Sequence, residues 1–67
     1  MFALVIDLPF ETLLVHRREF DTEQAAATYK ADHYAAFPGV EVWPQAKLYQ
    51  AKGRIIRFPL KETKEGV

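Results

Sequence analysis

FDTEQAAATYKADHYAAFPG, residues 20–39, reads as one helix with both ends marked. Asp21 is a good N-cap, and Gln24 three residues later completes a capping-box pattern. Phe20 precedes the cap and is placed to staple against Ala25. Residues 22–36 are rich in Ala and hold no Gly or Pro. Placed 100° apart, Ala25, Ala26, Tyr29, His33, Ala36 and Phe37 share an arc of about 120°, the width of a core-facing stripe. Thr28, Asp32 and Gln24 lie opposite. Ala27, Ala31, Tyr34 and Ala35 make a second, weaker stripe for solvent or a partner. Pro38 disfavours helix at Phe37, and Gly39 gives the chain room to turn.

The segments on either side read as strands. Phe2–Leu8 is apolar on both faces, as a central strand should be. Pro9-Phe10-Glu11 is a turn. Thr12–Phe20 follows as a second strand, with a polar second half at the sheet's rim, and the two form a hairpin. After the helix, Val40-Glu41-Val42-Trp43 alternates as a short strand that Pro44 ends or marks as an edge. Ala46–Ala51 and Arg54–Phe58 read as a hairpin about Lys52-Gly53. That register turns Ala51, Tyr49, Ile56 and Phe58 toward the core. It turns Leu48, Gln50, Ile55 and Arg57 away. Pro59 closes the last strand.

The order is therefore ββαβββ. It implies an α+β domain: a small antiparallel sheet with one helix packed on one face. Residues 1–60 form one domain, and 61–67 a flexible charged tail. One helix leaves the other face bare, with Leu48, Ile55 and some of Leu4, Ile6, Leu13 and Val15 on it. An exposed apolar face of this kind marks an interface, with a protein partner or as a homodimer seam.

The 67 residues contain no Cys, Ser or Asn. The commonest side-chain nucleophiles are missing, as are the thiolates of structural zinc sites. Three glycines, at 39, 53 and 66, make no phosphate-binding loop, and the two histidines have no metal-ligand spacing. We expect no enzyme activity, no cofactor and no metal. A chain this short hides only about 60% of its unfolded surface, so tight packing or an oligomeric interface must support it. An apolar fraction of 49% suits a folded domain.

Nine Lys/Arg balance nine Asp/Glu. A net charge of zero does not favour general attraction to nucleic acid or membranes. Residues 1–35 nevertheless carry six acids against three bases, and residues 36–67 three acids against six bases. That dipole either orients a partner or reflects chance in a short chain. The run Phe2–Ile6 is too short to span a membrane and lacks the basic lead of a signal peptide, so a cytoplasmic location is expected.

Two constellations have the chemistry of a contact site. His16-Arg17-Arg18 is an anion site or interface patch, or else a solvated strand end pairing with Glu11 or Glu19. Trp43, Tyr49, Arg54 and Arg57 interleave aromatics with arginine, which serves single-stranded bases and protein partners alike. The competing assignment puts Tyr49 in the core, Trp43 partly buried beside Pro44, and the arginines in solvent. His33 reads as a satisfied core or boundary histidine. Glu19, Asp21 and Glu23 suit a helix N-terminus. The candidate partner-binding set is Arg17, Arg18, Trp43, Arg54 and Arg57.

The leading strand Phe2–Leu8, the capped helix from Asp21-Thr22-Glu23-Gln24-Ala25-Ala26 and the hairpin around Lys52-Gly53 form an architecture. It resembles very small phage-encoded accessory proteins, including some anti-CRISPR inhibitors. The resemblance spans most of the chain and carries no shared motif, so it transfers no site residue. It implies a non-enzymatic inhibitor that blocks a bacterial defence or other host complex by occupying a surface. A small nucleic-acid-binding or regulatory protein, and a structural homo-oligomer, are the alternatives.

Overall fold

The computed structural model describes residues 1–51 and 53–61. The strands and helices are β1 (Phe2–Asp7), β2 (Glu11–Leu14), α1 (Glu23–His33), β3 (Val40–Pro44), α2 (Gln45–Tyr49) and β4 (Arg54–Arg57). The α+β class stands, and a helix does pack on one face of the sheet. The order is ββαβαβ rather than ββαβββ. The four strands lie in the order β3-β1-β2-β4. β1 is antiparallel to both neighbours, whereas β4 is parallel to β2, so the sheet is mixed.

β1 and β2 form the expected hairpin. Its turn is closed by Leu8 N–H donating to the Glu11 carbonyl at 2.8 Å. β2 ends at Leu14, short of the expected Phe20. His16-Arg17-Arg18-Glu19 has no apolar side to lay on the sheet, so the chain leaves and rejoins at Phe20. There Phe2 and Phe20 exchange two backbone hydrogen bonds of 2.8 Å.

α1 starts one residue later than its sequence suggests. Thr22 is the N-cap, its hydroxyl accepting from Ala25 N–H at 3.1 Å. The helix stops at His33, and Tyr34 is its C-cap. A residue beyond the helix no longer follows the 100° phase. Tyr34 therefore turns into the core with Leu4, Val15, Ala26 and Val40, while Ala25 and Ala36 are exposed. Tyr29 and His33 are half-buried as their stripe requires, and Phe37, beyond the helix, is half-buried against the core.

The segment expected as the first strand of a C-terminal hairpin is α2. Leu48 is 5% exposed and Tyr49 is 74% exposed, the reverse of the strand assignment. β2, β3 and β4 all run the same way, so each connection between them must cross over the sheet. α1 carries the chain from β2 to β3, and α2 carries it back past β1 and β2 to β4. The crossings run in opposite directions and lie on opposite faces, so they share one hand, as the rule for such units requires. Pro44 ends β3 and caps α2 at φ −65° and ψ 150°. Leu48 then packs on Ala3, Val5 and Trp43, on the face away from α1. The face expected to be bare is thus partly covered.

Gly53 is needed at the start of β4. Its φ is +90°, and a Cβ there would stand 2.6 Å from the Phe10 carbonyl oxygen. Ile56 is half-buried as expected, but Phe58 is exposed. Lys52 of the expected Lys52-Gly53 turn, and residues 62–67 of the expected tail, lie outside the described residues. Among the described residues no helix is long and apolar enough to cross a membrane.

Replacing Leu48 by Ala should cost about 2–5 kcal/mol of unfolding free energy in urea. Replacing Tyr49 by Ala should stay within about 0.5 kcal/mol of the parent. A hairpin would give the opposite ranking. Gly53→Ala should also lower stability, by about 1–3 kcal/mol, since strain and overlap act together.

Candidate functional site

β4 lies at one margin of the sheet, and its sequence is Arg54-Ile55-Ile56-Arg57. Arg54 N–H donates to the Phe10 carbonyl at 3.2 Å, and Phe58 N–H to the Leu14 carbonyl at 3.0 Å. Residues 54, 56 and 58 therefore turn their backbone groups inward to β2. Ile55 and Arg57 turn theirs outward. Among the described residues no strand pairs with that outer side. Ile55 and Phe58 are exposed along it, and Phe10 stands 81% exposed at its start.

The register fixes where the two arginines go. Leu14 lies on the α2 face and pairs with Arg57, whereas Leu13 lies on the α1 face and pairs with Ile56. Arg57 and Ile55 therefore share the α2 face, and Arg54 sits on the other. The two do not form one patch.

Arg57 does meet another member of the candidate set. A pocket of about 70 Å³ is lined by Ala3, Leu14, His16, Arg17, Glu19, Arg57 and Pro59. Its floor is the part of the α2 face that α2 leaves open. Arg17 reaches it because the chain leaves the sheet after β2. Glu19 brings a carboxylate to the same pocket, and its Oε1 accepts from Gln45 Nε2 at 3.4 Å. Among the described residues neither guanidinium is in a salt bridge with a carboxylate.

The remaining candidates separate. Arg18 is exposed and lines no pocket described here. Trp43, expected as an anchor for a partner, is 5% exposed and belongs to the core. Its ring N–H donates to Glu41 Oε1 at 3.0 Å, and Lys47 Nζ lies 4.6 Å from the ring centroid. α2 is what buries it, so burial of Trp43 was hidden once α2 was read as a strand. Phe10 lies outside the candidate set although it stands in the expected Pro9-Phe10-Glu11 turn. An aromatic at the tip of a two-residue turn cannot reach the core, and that was the available signal.

His16 lines the same pocket as the two arginines, and its ring is engaged by Tyr34. Its Nδ1 is 3.0 Å from the Tyr34 hydroxyl, which also donates to the Val15 carbonyl at 3.4 Å. The single hydroxyl proton goes to one of the two, so both contacts hold together when His16 carries its proton on Nδ1. Tyr29 lies between the histidines, with ring centroids 4.7 Å from His16 and 4.1 Å from His33. Among the described residues no group of three His, Cys, Asp or Glu could hold a metal ion. A second groove, of about 380 Å³, runs between Ala27 and Ala31 of α1, Ala35 just beyond it, and Val42 of β3.

No family model, no curated protein and no solved structure matches the chain.

Trp43→Ala should destabilise the domain by about 3–5 kcal/mol, because it empties a core position. Arg18→Ala should change the same urea midpoint by no more than about 0.5 kcal/mol equivalent. Equal, small effects would place Trp43 on the surface after all.

Proposed function

We infer that the chain is a non-enzymatic protein-binding module that docks through the outer side of β4. The observation that supports this reading is the unpaired outer side of β4, one of the sheet's two edge strands, with Ile55 exposed on it, Phe58 exposed just beyond its end and arginines on both faces. An unpaired edge is a template for another strand, and backbone hydrogen bonds there supply affinity while side chains select the partner. Aromatic residues and arginine are the types enriched at protein interfaces. Of the features behind the resemblance to small phage-encoded inhibitors, the leading strand and the capped helix remain and the terminal hairpin does not. On the two that remain we take the partner to be a host or defence complex, blocked sterically in the cytoplasm.

Ile55→Pro separates docking from folding. The Ile55 N–H points away from β2, so proline removes an outward donor without breaking the β2–β4 ladder. The wild-type chain, tagged and passed over a nuclease-treated bacterial lysate, should retain a protein in stoichiometric amount. Ile55→Pro should keep its circular dichroism and lose that protein. Retention that nuclease abolishes would move the assignment to nucleic acid, and undiminished retention by the proline variant would move the contact off β4.

A further inference from the structure

The geometry points to an acidic β-strand as the partner segment, with the pattern acid–apolar–apolar–acid opposite Arg57-Ile56-Ile55-Arg54. This rests on the docking assignment for β4 and names the chemistry of what docks. A strand added to the outer side of β4 places each residue opposite one of β4, on the same face of the sheet. The two isoleucines call for apolar residues, one on each face. Arg57 on the α2 face and Arg54 on the α1 face each call for a carboxylate, three residues apart.

The case for acid is strongest at Arg57. There the partner's carboxylate meets a guanidinium that shares its pocket with Arg17. The acid that lines that pocket, Glu19, is hydrogen-bonded to Gln45 and in a salt bridge with neither arginine. Opposite charges across a strand pair stabilise it, and guanidinium suits carboxylate in geometry as well as charge. The same charges count against a second copy of this chain. Two β4 strands side by side bring four arginines and no acid into the seam. The uneven charge of the sequence, with six bases in residues 36–67 against three acids, adds a long-range pull on an acidic partner.

The test is an NMR titration of the intact ¹⁵N-labelled chain with two blocked hexapeptides, Thr-Glu-Val-Ile-Glu-Thr and its Gln-for-Glu counterpart. The acidic peptide should shift the amides of Ile55 and Arg57 and bind about tenfold more tightly than the neutral one. The variant Arg57→Gln, folded by the same spectra, should lose most of that preference. Equal binding of both peptides at these amides would overturn the acidic specificity and leave the docking edge standing. No shift at Ile55 and Arg57 with either peptide would overturn both. A single-stranded oligonucleotide that displaces the acidic peptide and shifts the same amides at lower concentration would assign the arginines to phosphate instead.

Discussion

β1 is hydrogen-bonded along both sides and covered on both faces, and the rest of the molecule is arranged to keep it so. Leu4 and Val5 point to opposite faces and are both fully buried. Burying side chains of this size is worth about 1.5–3 kcal/mol each. A chain of 67 residues can afford few such positions. It secures them by sending one crossover over each face. α1 closes the face of Leu4 with Ala26 and Tyr34, and α2 closes that of Val5 with Leu48 and Trp43.

The same arrangement leaves β4 exposed. α2 is five residues long and sits over β3 and β1, so its cover does not extend to the far margin of the sheet. Arginines at both ends of β4 oppose unspecific pairing, as charged side chains do on many edges. That protective role and a recognition role are compatible. A charge that repels most strands is what admits an oppositely charged one.

The end of β2 is tied down by aromatics rather than by the ladder. His16 departs from the sheet and is received by Tyr34, Tyr29 and Phe20. Tyr34 also bonds the backbone of Val15. This fixes the segment that carries Arg17, and so fixes one wall of the pocket shared with Arg57. A polar loop next to the outer strand β4 is thereby held in place by the core itself.

Local chemistry wrote much of this in the sequence. The Phe2–Leu8 strand, the Pro9-Phe10 turn, a helix within residues 20–37 and a break at Pro38-Gly39 follow from apolar runs, caps and ring constraints that act over a few residues. Arg17, Arg54 and Arg57 were legible as contact candidates because charge and residue type need no fold. The C-terminal third was not legible in the same way. Ala46–Ala51 is short, and its apolar residues fit a strand as well as one turn of helix. What decided it was the direction of β3, which no local signal states: a chain that must return across the sheet cannot lie beside its neighbour. That one crossover turned Leu48 inward and Tyr49 outward, buried Trp43, made β4 parallel, and brought Arg57 beside Arg17. Sequence by itself determined residue type and charge, and only the tertiary path settled which of those residues are exposed and which stand together, because burial and distance depend on strand order rather than on spacing along the chain.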